Sequence, residues 1–235
     1  MPIPAQLLPE PLPAEPLAIA AQWLEEATRL AAQPNPNSMS LATVDGHGQP
    51  SARIVLCKDI LARPGLVSFY TNYDSRKGAE LATNPRAAVV LHWDHLHRQV
   101  RVEGTIVRAP AEDSDAYFAT RPWQRRIGAW ASEQSRPVSG RQALVDAVVA
   151  TAKRFGAPVP GPESDPEQDR IAARLTIARP AHWGGYQLWA SAVELWVEGE
   201  SRIHDRARWT RTLGPRQPGP VPYSPGAWSV TRLQP

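Results

Sequence analysis

The chain has 235 residues, of which 42% are hydrophobic, and is therefore long enough to bury the core of one domain. Its formal net charge of +3 at pH 7 is too small to indicate nucleic-acid binding, and its one cysteine, Cys57, excludes an internal disulfide framework and a multi-cysteine zinc site. Because we find no run of about 18 apolar residues and no secretory signal, we expect a cytoplasmic protein without membrane or nucleic-acid partners.

The first part of the chain predicts an arm, a helix and a hairpin. Residues 1–16 are rich in proline, which is typical of an extended arm. Apolar residues recur at helical spacing from Leu17 to Ala31. Two apolar strands, Met39–Val44 and Ser51–Lys58, flank a glycine-bearing turn and predict a β-hairpin.

The middle of the chain predicts further strands with one helix between them. Short apolar or alternating runs at Leu66–Thr71, Ala87–Trp93 and Gln99–Val107 are typical of strands. Ser75 can cap a helix that continues to about Ala82.

The last part of the chain predicts one more helix and two strands. A capping box from Ser139 to Gln142 would start a helix that stops at Gly156. Strands are predicted at Trp183–Trp196 and Trp228–Leu233, so the whole pattern favours an α+β, mainly β domain. The apolar stripe of the helix, expected to lie in the core, consists of Leu144, Val148, Ala152 and Phe155.

Three basic segments suggest a site for a planar, phosphorylated ligand. Trp196–Arg206 places basic side chains beside aromatic rings, and Arg53–Lys58 puts cations at the ends of an apolar strand. In Ser75–Lys77, Arg76 and Lys77 occupy the first turn of the predicted helix, where the helix dipole favours negative charge. A phosphate held by these cations and by backbone N–H groups would explain that placement.

These segments also have ordinary explanations. Ser75–Lys77 could be a solvated helix start, and strict alternation sends Arg53 and Lys58 to opposite faces of a strand unless a bulge intervenes. The basic and aromatic content also leaves a nucleic-acid-binding module as an alternative of another class.

Other reactive residue types favour structural roles. The spacing of His92, His95 and His97 at a strand end does not converge three imidazoles on a metal, so no metal site is expected. Cys57 lies in an apolar run and is predicted to be a packed thiol. Tryptophans expected to anchor the core or an interface are Trp123, Trp130 and Trp189.

Nine short segments follow one another along the chain. They are Arg53-Ile-Val-Leu-Cys-Lys58, Phe69-Tyr-Thr-Asn72, Ser75-Arg-Lys77, Arg98-Gln-Val100, Tyr117-Phe-x-x-Arg121-Pro122, Ile127-Gly-Ala-Trp130, Gln134-Ser135, Trp183-Gly-Gly185 and Arg202-x-His-Asp-Arg206. In this order they closely resemble the pyridoxamine 5′-phosphate oxidase family, the FMN enzymes of vitamin B6 metabolism. The resemblance begins at Pro16 and implies that residues 17–235 form an FMN-binding split β-barrel with peripheral helices, which binds FMN at the interface of a homodimer.

The resemblance also implies which residues bind each ligand. Arg202 and His204 would be catalytic and would cover the substrate ring on the face away from the flavin. The substrate-binding residues would be Lys58, Tyr117, Arg121, Arg125, Arg202, Ile203 and His204. The FMN-binding residues would be Arg53, Ile54, Val55, Leu56, Cys57, Lys58, Tyr70, Thr71, Ser75, Arg76, Lys77, Gln99, Gln134, Ser135, Trp196 and Arg206.

The implied activity is the oxidation of pyridoxamine or pyridoxine 5′-phosphate to pyridoxal 5′-phosphate. The N5 atom of FMN would accept a hydride from C4′ of the substrate, and O2 would reoxidise the flavin to give H2O2. A related oxidase of another aromatic substrate, such as a phenazine precursor, and a non-catalytic FMN or pyridoxal phosphate-binding protein are the alternatives. Retention of Tyr117, Arg121, Arg202 and His204 favours the vitamin B6 substrate.

The chain departs from the family pattern mainly on the substrate side. Arg125 stands where the family usually has a serine, and Gln187 replaces a customary arginine. The N-terminal arm lacks the basic and tyrosine residues that can cover the site. An insertion rich in proline and acidic residues is expected at about 160–177.

Overall fold

The computed structural model describes residues 7–161, 166–219 and 221–235. The chain forms two compact units. The barrel unit comprises the described residues of Met1–Tyr70, Glu80–Arg108 and Tyr186–Pro235, and the helical unit comprises those of Thr71–Ala79 and Ala109–Gly185.

The strands form one antiparallel sheet in the order β3-β2-β1-β4-β5-β6-β7-β8. Because β3 also pairs with β6, six strands close into a barrel, and β7 and β8 extend the sheet beyond β6. This confirms the mainly β fold and most of the predicted strands, but the sequence patterns did not predict β7. The strands are β1 Ser38–Val44, β2 Pro50–Leu61, β3 Leu66–Asn72, β4 Arg86–Trp93, β5 Arg98–Arg108, β6 Trp183–Val197, β7 Asp205–Thr210 and β8 Ser229–Arg232.

Alternation along the strands buries one face of the sheet with apolar side chains, both in the barrel and on the adjoining β7. One row runs in register from Leu41 through Val89, Val102 and Val193 to Trp209, across five neighbouring strands. All five residues are fully buried. Burial of each aliphatic side chain contributes roughly 1.5–3 kcal/mol, so this row is a main source of barrel stability. The opposite faces of the same strands remain available for polar groups.

Strand β2 contains a bulge. Its pairing with β3 shifts between Cys57 and Asp59, where two residues of β2 correspond to one step along β3, from Phe69 to Ser68. The extra residue is Lys58. Strict alternation therefore no longer separates Lys58 from Arg53, which was the condition for these two cations to serve one site.

The remaining elements of the barrel unit include helix α1, Pro16–Leu30, which buries Leu17, Ala20 and Trp23 and packs against β2. The preceding arm is tied to β7, since Trp209 Nε1 donates a hydrogen bond to the Pro13 carbonyl at 2.8 Å. Helix α2 spans Arg76–Thr83, and only its residues from Glu80 onward belong to the barrel unit. Before it, Ser75 Oγ accepts the Gly78 N–H at 3.4 Å, as expected for a capping residue.

The helical unit contains four further helices: α3 Ala111–Thr120, α4 Trp123–Ala131, α5 Arg141–Arg154 and α6 Pro166–Ala172. Helix α6 lies inside the expected insertion, of which residues 162–165 fall outside the described part of the chain. Trp123 Nε1 on α4 donates to Asp169 Oδ1 on α6 at 2.7 Å, which ties this segment to the unit. No helix within the described ranges is long and apolar enough to cross a bilayer.

Helix α5 corrects two predictions. Its N-cap is Gly140, without a side-chain hydrogen bond, and Gln142 Nε2 instead donates to Asp146 Oδ1, so the capping box from Ser139 is wrong. The core stripe is also wrong at Leu144, which is 51% exposed. In this helix only Ala152 is buried, because the first turns of α5 lie at the surface of the unit.

Candidate functional site

A row of three predicted FMN ligands crosses the outer face of the barrel unit. Gln99 on β5 is the register partner of Trp196 on β6, and Trp196 is the partner of Arg206 on β7. All three side chains are half-buried. Because partners in neighbouring strands point to the same face, the sheet brings together residues that are far apart in the sequence.

The turn between β6 and β7 carries the predicted catalytic pair. Arg202 has a positive φ of 65°, and Ser201 has one of 53°, so two non-glycine residues adopt the left-handed conformation. Gly199 is required by close packing, since a Cβ there would meet the Ile203 carbonyl oxygen at 1.7 Å. Ile203 is 73% exposed at the tip of the turn.

His204 is oriented by its neighbours in this turn. The Gly199 N–H donates to His204 Nδ1 at 3.2 Å, and the imidazole lies 4.7 Å from the Trp196 ring, centroid to centroid. An Nδ1 that accepts a hydrogen bond carries no proton, so the neutral imidazole presents an N–H at Nε2. The turn therefore fixes His204 as a donor through that nitrogen.

Arg53 on β2 is held by a polar network that the sequence analysis missed. Its Nη2 lies 3.0 Å from Glu80 Oε2, and its guanidinium also donates to the Leu41 carbonyl, Thr43 Oγ1 and Ser51 Oγ. Glu80, in α2, is 4% exposed. A single acidic residue on a short helix gives no sequence signal that its partner is an arginine on a distant strand.

The other predicted FMN residues of β2 differ in exposure. Val55 and Cys57 are buried, whereas Ile54 is 65% exposed. Burial raises the pKa of the Cys57 thiol to about 12, so the thiol is protonated at neutral pH and is a packed side chain, as predicted. Lys58 and, on β3, Tyr70 are half-buried.

In the helical unit, Lys77 is the buried member of the predicted phosphate cations. Its Nζ lies 2.9 Å from Ser75 Oγ and 2.6 Å from Gln134 Oε1, and Thr71 Oγ1 donates to the same amide oxygen at 3.3 Å. Four predicted FMN residues thus lie in one cluster. Arg76 is exposed, as is Ser135, which has a positive φ of 71°.

The helical unit also contains Arg121, one of the predicted substrate arginines. The Arg121 guanidinium lies 4.5 Å from the Trp183 ring and 5.4 Å from the Phe118 ring. Its Nη1 is buried and has no hydrogen-bond partner among the described residues. Tyr117 stacks on Trp183 at 6.1 Å. The tryptophan thus brings two predicted substrate residues together.

Electrostatics around Arg121 favour an anion. Burial lowers the pKa of its guanidinium, and the positive charges of Arg125 and Arg126 act in the same direction, whereas Tyr117 opposes them. Arg125, the third predicted substrate residue of this unit, is exposed on α4. A bound phosphate would relieve both the repulsion and the unsatisfied donor.

The histidine-rich strand end has another organisation. His97 pairs through Nδ1 with Glu198, His92 is exposed, and His95 is half-buried. Within the described residues, no three side chains from His, Cys, Asp and Glu are grouped to hold a metal ion.

Comparison with known proteins identifies the family. Residues 24–155 match a family model described as "Pyridoxamine 5′-phosphate oxidase", and residues 183–235 match "Pyridoxine 5′-phosphate oxidase C-terminal dimerisation region". The chain belongs to the pyridoxine/pyridoxamine 5′-phosphate oxidase family. Neither match covers 156–182, the stretch that includes α6 and the expected insertion.

Individual relatives of the pyridoxine/pyridoxamine 5′-phosphate oxidase family agree over most of the chain. The protein of that name from Cupriavidus necator is 46% identical over 221 residues, which are 94% of this chain and 89% of the relative. The one from Paracoccus denitrificans is 45% identical over 231 residues, which are 94% of this chain and 95% of the relative. Membership of this family supports the classification of this chain as an oxidoreductase.

Two solved structures share the split-barrel fold. PhzG from Burkholderia lata, in complex with tetrahydrophenazine-1-carboxylic acid, has a TM-score of 0.76 and 26% identity, with 96% of this chain and 95% of that chain covered. A pyridoxamine 5′-phosphate oxidase-related, FMN binding protein from Nostoc punctiforme has a TM-score of 0.63 and 15% identity, with 93% and 96% covered, and supports the fold alone.

Proposed function

We propose that this protein oxidises pyridoxamine or pyridoxine 5′-phosphate to pyridoxal 5′-phosphate with FMN as cofactor and O2 as acceptor. The amine would react with O2 and water to give the aldehyde, ammonia and H2O2, and the alcohol would react with O2 to give the aldehyde and H2O2. The observation that carries the proposal is the buried Nη1 of Arg121, which has no hydrogen-bond partner among the described residues and which an anionic acceptor would satisfy. A substrate phosphate supplies one.

The substrate phosphate would be bound in the helical unit by Arg121 and Tyr117. Stacking against Trp183 holds the guanidinium in one orientation before the ligand arrives, so little side-chain entropy remains to be lost on binding. The neighbouring Arg125 adds positive charge. The resemblance also assigns Lys58 to the substrate phosphate.

The donor set fits FMN. The cluster of Lys77, Ser75 and Gln134 offers a buried ammonium with polar neighbours, which suits a phosphate oxygen. The row of Gln99, Trp196 and Arg206 offers an amide, an indole and a guanidinium on one sheet face, which suits the polar edge of a flavin ring. When bound, FMN would accept the hydride from the substrate and pass the electrons to O2.

The remaining roles follow from what the assigned side chains can do. His204 would donate its Nε2 proton to an acceptor on the substrate ring, because the Gly199 N–H occupies Nδ1. Arg202, fixed on a left-handed backbone, would orient the substrate through its charge, and Ile203 would cover the apolar part of the ring. These residues position the substrate, so the protein needs no nucleophile of its own.

The proposal includes a homodimer. It is supported by the match of residues 183–235 to a region described as a dimerisation region. It is further supported by Ile54, which is 65% exposed on the barrel and is assigned to FMN by the resemblance. Light scattering of the purified protein should give a mass twice the 25.8 kDa of one chain.

A second candidate is a flavin oxidase of another aromatic substrate. The similarity to PhzG, at a TM-score of 0.76, favours it, and the departures at Arg125 and Gln187 lie among the substrate residues of the family pattern. The retention of Tyr117, Arg121, Arg202 and His204, which the resemblance assigns to the B6 phosphate, favours the phosphorylated substrate.

The deciding experiment is an absorption spectrum of the purified protein, followed by O2 uptake with each B6 phosphate and with a phenazine precursor. The proposal predicts a flavin spectrum and H2O2 release with pyridoxamine or pyridoxine 5′-phosphate. Turnover of the phenazine precursor alone would establish the second candidate. A yellow protein that turns over neither substrate would indicate a binding protein.

A further inference from the structure

Two buried carboxylates stand out in the barrel unit. Glu80 and Glu194 are 4% and 5% exposed and are the only buried acidic residues in the described part of the chain. Each forms an ion pair with an arginine that the resemblance assigns to FMN, Glu80 with Arg53 and Glu194 with Arg206. Neither glutamate is among the assigned ligands. Burying a charged group costs free energy unless the group is paired, and even a buried ion pair contributes little to stability. The presence of these two pairs therefore calls for a physical explanation.

The Glu80 carboxylate is held at both oxygens. Ser51 Oγ lies 2.9 Å from Oε1 and 2.8 Å from Oε2, and Thr43 Oγ1 donates to Oε2 at 2.5 Å. Arg53 bonds to this assembly through both terminal nitrogens, Nη1 to Thr43 and Nη2 to Ser51 and Glu80. Its guanidinium plane is thereby fixed, and its Nε–H is used by none of these bonds.

Glu194 holds Arg206 in a similar way. Its Oε1 accepts from Arg206 Nε at 3.2 Å and Nη2 at 2.8 Å, while its Oε2 accepts from Arg101 Nη1 at 3.3 Å. Arg206 Nη1 donates to the Gln234 carbonyl at 2.9 Å. All three nitrogens of the Arg206 guanidinium therefore have protein partners, and the side chain has little freedom.

We propose that Glu80 and Glu194 are positioning residues for the cofactor, each acting through its arginine. Each carboxylate fixes the plane of one guanidinium and cancels its charge, so Arg53 and Arg206 serve FMN as oriented hydrogen-bond donors. The net positive charge for the phosphate comes from Arg76 and Lys77. This inference rests on the proposed function, because it assumes that FMN is the ligand of both arginines.

Holding an arginine in one orientation before FMN binds has a physical advantage. An arginine side chain has many rotamers, and ordering them during binding lowers affinity. When the glutamate has already ordered the side chain, the ligand does not bear that cost. The loss of either carboxylate should therefore weaken FMN binding, even though it makes the site more positive.

The sheet offers a matched control. Glu103 pairs with Arg101 at 3.0 Å and with Arg208 at 2.9 Å, and neither arginine is assigned to a ligand. Glu103 is register partner to Ala192, two residues before Glu194 on β6, so it lies on the same face of the sheet. Glu103→Gln removes the same charge from the same network without releasing an FMN arginine.

The test is a titration of apo-protein with FMN, in which the quenching of flavin fluorescence reports binding. It is carried out on wild type and on the variants Glu80→Gln, Glu194→Gln and Glu103→Gln. Two double-mutant cycles, Glu80→Gln with Arg53→Ala and Glu194→Gln with Arg206→Ala, report whether each glutamate acts through its arginine. We expect each glutamate variant to raise the Kd for FMN about tenfold, and Glu103→Gln to stay within about twofold of wild type.

In each cycle the double variant should bind FMN as the arginine variant does, because the glutamate acts only through that arginine. A Kd unchanged in both glutamate variants, or glutamate and arginine effects that multiply, would overturn the inference. Absence of FMN binding by the wild type would instead overturn the proposed function.

Because Glu80→Gln leaves Arg53 without its counterion, weaker FMN binding by that variant must be distinguished from a loss of folding. A milder variant makes this distinction. Ser51→Ala removes bonds to both Glu80 and Arg53 but keeps both charges. It should raise the Kd for FMN about threefold with an unchanged far-ultraviolet circular dichroism spectrum. If Ser51→Ala binds as wild type does while Glu80→Gln is unfolded, the network is structural and the inference is wrong for Glu80.

Discussion

Two arginines assigned to FMN in the barrel unit and one assigned to the substrate in the helical unit are held in opposite ways. In the barrel unit, Arg53 and Arg206 are paired with the buried carboxylates Glu80 and Glu194. In the helical unit, Arg121 packs against the rings of Trp183 and Phe118, and its buried Nη1 has no hydrogen-bond partner among the described residues. A paired arginine is an oriented donor with little net charge, whereas a ring-packed one keeps its charge for a ligand.

The largest effect should come from the unpaired arginine. Arg121→Gln should raise KM for pyridoxamine 5′-phosphate about 100-fold, because a charge-assisted contact to a phosphate is worth about 3 kcal/mol. Steady-state O2 uptake checks this. Arg136→Gln, at an exposed arginine that has no assigned role, is the control and should leave KM unchanged. Equal KM values for the two variants would show that Arg121 does not bind the phosphate.

Lys77 should have the next largest effect, and on the cofactor instead of the substrate. Lys77→Ala should weaken FMN binding by on the order of 1–3 kcal/mol, since a buried ammonium that meets a phosphate cannot be replaced by water at equal strength. Fluorescence titration with FMN measures it, with Lys153→Ala on exposed helix α5 as the control. Retention of FMN equal to that of the control would remove Lys77 from the phosphate site.

Arg202 should affect turnover but not cofactor content. Arg202→Ala should lower kcat/KM for pyridoxamine 5′-phosphate by about tenfold, because one charged contact to the substrate is lost, and the purified protein should stay yellow. Absorbance at the flavin band and O2 uptake report the two properties separately. A colourless Arg202→Ala protein would mean that this side chain belongs to the FMN site.

The smallest effect concerns stability at alkaline pH. The Cys57 thiol has its pKa raised by burial from the ordinary 9.0 to about 12. Between these values the unfolded chain loses a proton that the folded chain keeps, so this group favours folding below pH 9 and its contribution falls by up to about 1.4 kcal/mol per pH unit above it. Urea unfolding between pH 8 and 10 should show a steeper decline in wild type than in Cys57→Ala. Parallel curves would contradict the burial of the thiol.

Local patterns predicted the strands well because alternation is a property of each strand alone. Runs such as Gln99–Val107 carry it plainly, and the structure has β5 at Arg98–Arg108. Strand β7 escaped prediction because its basic residues, including Arg206 and Arg208, resemble a ligand-binding segment more than an apolar strand. Helix α5 shows the opposite error, since an apolar stripe that includes Leu144 does not guarantee a partner to bury it.

The chain's motifs were enough to determine the family, the split barrel and the residues worth testing, because each motif is a short run of neighbours. Tertiary structure alone decided how those residues are held. The bulge at Lys58, the row from Gln99 to Arg206 and the pairing of Glu80 with Arg53 all depend on contacts between distant segments. Strand register and burial arise only when the sheet closes, so no short stretch of sequence can specify which charged side chains pair.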